Sequence, residues 1–286
     1  MARARCCWMT NSSGPPAAAR TSGAGSGVAV KLRFAEYSLS LALAMRDSKR
    51  LWAGASGYSF KEWKGDFYPR DIKPEGMLKW YGERLPTVEI NNSFYQMPKP
   101  AVLESWAKAT PEAFRFAIKA SRRITHISRL KPESAADSVN YLYRMLATLG
   151  AKRGPVLFQL PPAMKKDLER LSAFLGLLPA EHGAAFEFRN PSWFSDDVYD
   201  ALRAAGAALC LSEREDDAPP TLVETAPWGY VRLRLETYAE ADLQRWAERL
   251  AATGWRETFV YFMHEPTAPA YAQTLMRFAA APTAPR

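Results

Sequence analysis

From Leu51 onward, short apolar runs rich in β-branched and aromatic residues alternate with segments whose apolar residues recur three and four positions apart. The first pattern predicts buried strands and the second predicts amphipathic helices. Eight runs read as strands: 51–56, 87–91, 114–119, 155–160, 184–188, 207–211, 230–234 and 258–263. Between them, Val139, Leu142, Leu146 and Leu149 form one helical stripe. Leu168, Leu171, Phe174, Leu175 and Leu178 form a second, and Leu243, Trp246, Ala247 and Leu250 a third. Gly150, Gly206 and Gly254 stand where helices are expected to stop. The acidic, proline-bearing stretch 213–220 predicts a loop with little helix.

Strands alternating with helices imply parallel pairing through right-handed crossovers. Eight of each within the 236 residues of 51–286 fit closure into a TIM-type (β/α)8 barrel, which takes about 250 residues. No Gly-x-Gly-x-x-Gly fingerprint follows the first strand, so neither a dinucleotide-binding sheet nor a nucleotide cofactor is indicated. The expected class is therefore α/β, a single barrel domain over 51–286 behind an extension over 1–50.

Composition changes the picture mainly at that extension. Residues 1–50 are rich in Ala, Gly, Ser and Arg, and read as a disordered extension or as translation from an upstream start codon. The lack of acidic residues before Glu36 resembles an organellar transit peptide, although no well-formed amphipathic Arg helix is visible. The formal charge of +8 sits mostly here: eight Arg or Lys against Glu36 and Asp47 give +6, leaving +2 for the rest. A nearly neutral body is a poor electrostatic footprint for a polyanion. Cys6, Cys7 and Cys210 suit no disulfide framework, which points to a reducing cytoplasm. No apolar stretch approaches the roughly 18 residues of a membrane span, so no membrane partner is expected.

The candidate chemistry lies where the strands end. Three strands carry polar residues two apart, which places each pair on one face: Glu89 with Asn91, Glu187 with Arg189, and Arg232 with Arg234. Ser56, Lys119 and Gln159 close other strands, and His264 and Glu265 follow the eighth. In a barrel these positions converge on the C-terminal mouth. One interpretation is a purely structural network in which Glu89 and Glu187 neutralise Lys119, Arg189 and Arg232. The other is a solvated binding site, which relieves the cost of burying so many charges.

The surplus of Lys119, Arg189, Arg232 and Arg234 suits a small ligand bearing a carboxylate or phosphate. Glu89 or Glu187 then reads as catalytic acid or base, with His264 as a second proton carrier and His126 as another candidate. Asn91, Tyr95, Gln159 and Trp193 complete the expected ligand contacts. Tyr58, Phe60, Trp63, Phe67, Tyr68 and Phe94 either wall a sugar or base, or simply pack the loops. His126, His182 and His264 lie in separate segments and no Cys-x-x-Cys occurs, so no metal is assigned. A Mg or Mn site built from Glu89, Glu187 and Glu265 is the weaker alternative.

At these strand ends the chain resembles the YecE-like family, the domain of unknown function numbered 72 (DUF72). The resemblance rests on Gly54-Ala55-Ser56-Gly57-Tyr58, Trp63-Lys64-Gly65-Asp66-Phe67-Tyr68-Pro69 and Glu89-Ile90-Asn91-Asn92-Ser93-Phe94-Tyr95. It continues through Ile124-Thr125-His126, Phe158-Gln159-Leu160-Pro161-Pro162, Phe186-Glu187-Phe188-Arg189 and Tyr230-Val231-Arg232. It implies a β/α barrel and no defined reaction. Similarity of that barrel to endonuclease IV and sugar-isomerase folds implies nucleic-acid or sugar chemistry by fold analogy alone. Many relatives follow the seventh-strand Arg with His-Gly and end strand eight in Asn-Asn-Asp. This chain has Leu233-Arg234 and Met263-His264-Glu265 instead. The leading expectation is an enzyme using acid–base chemistry on a small anionic or sugar-like molecule. The alternatives are a nucleic-acid-binding or processing protein and a ligand sensor without turnover.

Overall fold

The computed structural model of the protein describes residues 49–181, 183–213, 220–263 and 266–280. The extension expected over 1–50 lies outside the described residues except for Lys49 and Arg50, and Arg50 already opens the first strand. Eight strands pair in chain order, all parallel, and close into a barrel. They are β1 (Arg50–Ala55), β2 (Thr87–Ile90), β3 (Arg115–Lys119), β4 (Arg153–Gln159), β5 (Ala184–Glu187), β6 (Ala208–Ser212), β7 (Trp228–Leu233) and β8 (Glu257–Phe262). The helices around them are α1 (Pro74–Gly82), α2 (Pro100–Ala109), α3 (Pro132–Leu146), α4 (Leu168–Leu175), α5 (Asp196–Ala204), α6 (Glu240–Ala251) and α7 (Ala268–Ala280). Among the described residues no helix separates β6 from β7; the loop expected over 213–220 lies, at 214–219, outside them.

Strand alternation divides the core in two. Inward-facing Trp52, Ala117, Leu157, Ala185, Ala208, Cys210, Tyr230, Phe259 and Tyr261 fill the barrel. Outward-facing residues such as Val88, Phe116, Phe158 and Val231 meet the helix stripes, with Val139, Leu142, Phe174 and Leu243 buried as their spacing requires. Toward the N-terminal end of the barrel Trp52 stacks on Phe259, ring centroids 5.8 Å apart, and Trp228 meets Phe259 edge-on. With that end packed by aromatic rings, the inward residues at the C-terminal end are left to build a pocket.

Two strands start two residues before the hydrophobic pattern, each for a local reason. β7 begins at Trp228 rather than 230 because Gly229 is part of the strand: a Cβ there would collide with the Trp255 ring. β4 begins at Arg153, before Gly154 and Pro155, and its register against β3 shifts between Phe116↔Arg153 and Ile118↔Val156. Proline has no N–H to give a ladder, so the irregularity falls where the sequence tolerates it. Gly150 and Gly206 take positive φ at their helix ends, whereas the Gly254 N–H is held by the Glu224 carboxylate at 3.0 Å.

The β1–β2 seam is closed by a side chain. These strands share only the pairs Gly54↔Thr87 and Ala55↔Val88. The Tyr81 hydroxyl sits at the seam, accepting from the Ala55 N–H at 2.8 Å and donating to the Thr87 carbonyl at 2.9 Å. Gly54 lacks the Cβ that would strike that same carbonyl. The aromatic loop after β1 supports Tyr81, with Trp63 stacked on it at 6.4 Å and Phe67 edge-on at 5.9 Å. Tyr81→Phe should therefore destabilise the barrel by about 1–3 kcal/mol, because it leaves two buried backbone groups unpaired while keeping the ring. A shift in the urea denaturation midpoint checks this; an unchanged midpoint would mean that the hydroxyl closes nothing.

Candidate functional site

Two residues beyond the apolar barrel core, alternation delivers a polar layer: Ser56, Glu89, Lys119, Gln159, Glu187, Ser212 and Arg232. Its centre is Arg232. One terminal guanidinium nitrogen donates to Glu187 Oε2 at 2.7 Å and the other to Glu89 Oε1 at 2.9 Å. Both carboxylates are fully buried. Glu89 also accepts from Ser56 Oγ at 2.8 Å, Asn91 Nδ2 at 3.0 Å and the Tyr230 hydroxyl at 2.7 Å. Glu187 accepts from Gln159 Nε2 at 2.8 Å and Arg189 Nε at 3.2 Å, with Arg234 at 3.8 Å.

Burial alone would raise the pKa of both glutamates. The Arg232 charge and the hydrogen-bond donors outweigh it, so Glu89 is lowered and Glu187 falls to about 2. Both remain ionised at neutral pH. Above them the cations differ in access. The Arg232 side chain is 5% exposed, whereas Arg189 and Arg234 are 27% and 24% exposed and can meet a ligand. Arg234 is lowered by desolvation and by crowding from Arg232 and Arg189. Lys119 is pushed down to about 8 by desolvation and by the Arg232 charge, against the pull of Glu187 and Glu89.

Three buried polar atoms in this region have no hydrogen-bond partner among the described residues: Arg232 Nε, Asn91 Oδ1 and Ser212 Oγ. Buried polar atoms are nearly always paired, so these are candidates for contact with a ligand or water. A cavity of about 470 Å³ lies at β5 and β6, lined by Phe188, Phe194, Leu209, Leu211 and Val223 among others; of the polar layer and the cations above it, only Arg189 and Ser212 reach it. His126 lies in the turn after β3, its ring edge-on to Phe94 at 4.9 Å and its Nδ1 2.9 Å from Thr125 Oγ1. Desolvation and the charges of Lys119 and Arg189 lower its pKa. That turn, Arg123–Ile127, is a π-helix, and Arg129 and Leu130 just beyond it hold positive φ.

The profile of the family described as "Protein of unknown function DUF72" matches residues 52–285. The chain belongs to the DUF72 family. This DUF72 chain is 30% identical over 221 residues to UPF0759 protein YunF of Bacillus subtilis (strain 168), covering 72% of the chain and 76% of YunF. It is 31% identical over 119 residues to UPF0759 protein YecE of Escherichia coli (strain K12), 41% of the chain and 43% of YecE. A solved DUF72 family protein from Thermotoga maritima MSB8 superposes with a TM-score of 0.67 at 24% identity, covering 80% of this chain and 97% of that one. A DUF72 family protein from Enterococcus faecalis V583 does so with a TM-score of 0.62 at 18% identity, covering 72% and 94%. At these identities the solved structures share the DUF72 barrel and say nothing further about the site.

Of the predicted DUF72 site residues, Glu89, Asn91, Gln159, Glu187, Arg189, Arg232 and Arg234 join one hydrogen-bonded or ion-paired network. Lys119 stands beside it and Tyr95 is exposed near the rim. Trp193 is not open to a ligand: it is fully buried, stacked on Phe188 at 4.7 Å, with its indole N–H on the Met164 carbonyl. The aromatic residues after β1 likewise pack on one another. His264 and Glu265 lie outside the described residues, as does His182. Among the described residues no group of three His, Cys, Asp or Glu side chains is placed to hold a metal. The pattern missed Tyr230 and Ser212. A tyrosine inside an otherwise apolar run was the available signal for the first.

Replacing Arg232 with Met removes the cation shared by two buried carboxylates and should cost about 3–5 kcal/mol at neutral pH. The pH dependence should reverse as well. The folded Glu187 pKa is below its ordinary 4.5, so its stabilisation is complete above that value and is lost as pH falls toward about 2. Without Arg232, burial raises the carboxylate pKa values, and R232M should gain stability on acidification from neutral pH. Urea midpoints across that range check both; equal stability and an unchanged acid slope would contradict the bridge.

Proposed function

We propose that the mouth of the barrel binds a small anionic, hydroxyl-bearing molecule and performs acid–base chemistry on it. The observation that carries this reading is the charge count: among the described residues, Lys119, Arg189, Arg232 and Arg234 face the two carboxylates Glu89 and Glu187. Arg189 and Arg234 would grip the carboxylate or phosphate. The unpartnered Asn91 Oδ1 accepts only, and so suits a ligand hydroxyl, whereas Ser212 Oγ can donate or accept.

Proton transfer shifts, in this reading, from the glutamates to other groups. A carboxylate with a pKa of about 2 is almost never protonated near neutrality, so Glu187, and Glu89 with it, act as fixed counter-charges. Lys119, at about 8, and His126 are the described groups suited to carry protons there. The proposed setting is cytoplasmic: Cys210 is a free, buried thiol, and no described helix is long and apolar enough to cross a membrane.

A nucleic-acid partner is the second reading, favoured by exposed Arg122, Arg123 and Arg129 on the loop after β3. Thermal-shift measurements with inorganic phosphate and citrate separate the two. Both anions should raise the melting temperature, and the effect should weaken as pH rises through about 8 and Lys119 loses its proton. Arg189→Gln with Arg234→Gln should weaken binding by about tenfold or more, the loss of charge-assisted hydrogen bonds. An oligonucleotide that stabilises the protein, with steep salt dependence, where neither anion does would favour the second reading.

A further inference from the structure

Lys119 is set apart from the other cations of the site. Arg189, Arg232 and Arg234 each lie within 4 Å of a glutamate oxygen, whereas Lys119 has no ion pair among the described residues. Its Nζ stands 4.5 Å from the centroid of the Phe94 ring, and His126 meets that ring edge-on. The charged groups facing it are Arg232 and Arg189, which disfavour its ammonium form, and Glu187 and Glu89, which favour it. Near pH 8 it holds about a hundredfold more free amine than an ordinary lysine. Desolvation beside other cations is how proteins make a nucleophilic lysine.

We propose that Lys119 forms an imine with a small 2-oxo acid or phosphorylated carbonyl compound whose anionic group is held by Arg189 and Arg234. This rests on the anion-binding reading above. The Nζ lone pair attacks the carbonyl carbon, a C–N bond forms, and the carbonyl π electrons move to oxygen, which takes up a proton. The nitrogen loses a proton, and the resulting carbinolamine loses its protonated hydroxyl as water to leave the iminium. Amine and carbonyl compound thus give imine and water, with no oxidant or reductant. His126, which shares the Phe94 ring with Lys119, is the group assigned to relay those protons.

Glyoxylate with sodium cyanoborohydride tests this on the full chain, with peptide mapping by mass spectrometry. The reduced adduct should fall on Lys119 with at least about tenfold preference over any other lysine, following its larger free-amine fraction. Excess inorganic phosphate should suppress it, and the neutral aldehyde propanal should show no such preference. Lys119→Arg and Lys119→Met should lack the adduct, and the wild-type labelling pattern decides the matter even where a variant folds poorly. Adducts spread evenly over the lysines, or equal preference with propanal, would overturn the proposal. If Lys119 stays unlabelled while phosphate still raises the melting temperature, the imine fails and the anion site stands. If phosphate has no effect either, both fall.

Discussion

A single guanidinium shared by two buried carboxylates organises this barrel. Arg232 on β7 reaches Glu187 on β5 and Glu89 on β2, residues 45 and 143 positions away in the chain. Neither carboxylate could stay ionised and fully buried alone, because the desolvation cost would neutralise it instead. Each therefore depends on barrel closure, and closure at that end depends on them. The Tyr230 hydroxyl, inside the barrel, ties Glu89 to the same strand that carries Arg232. A charge-assisted network with so many fixed partners holds its members in one geometry, which a binding site needs.

The bridge also sets the electrostatics above it. One cation between two anions is net negative, and Lys119, Arg189 and Arg234 more than reverse this. Desolvation and the charges of Arg232 and Arg189 lower both Lys119 and Arg234. An incoming anion relieves that repulsion. The site thus combines a floor whose carboxylates stay ionised at neutral pH with a rim where Lys119 is brought down to about 8 and His126 is lowered by desolvation and by neighbouring cations. In the function proposed above, binding falls to the accessible arginines and proton transfer to Lys119 and His126.

Much of this was legible in the sequence because strand period and barrel topology act together. Polar residues two apart at Glu89/Asn91, Glu187/Arg189 and Arg232/Arg234 had to share the interior face, and eight strands had to bring those faces together. What alternation cannot show is pairing across the barrel. The spacing did not say that Arg232 rather than Lys119 lies between the carboxylates, since that follows from which strands face one another after closure. Aromatic residues misled for a related reason. Trp193 follows a polar strand end, yet it turns under its loop to stack on Phe188. The Tyr81 hydroxyl, which completes the β1–β2 ladder from α1, carries no mark in the spacing of the sequence.

The central claim is that Glu89 and Glu187 are permanent anions held by Arg232, leaving the rim cations free for a ligand. Carbon-13 NMR of the side-chain carboxyls, titrated from neutral pH into acid, observes this directly. Both resonances should keep the chemical shift of an ionised carboxylate throughout the neutral range and titrate below the ordinary glutamate value, Glu187 near 2. Either glutamate titrating at or above neutrality would contradict the account, making that residue a proton carrier and removing the surplus charge from the rim.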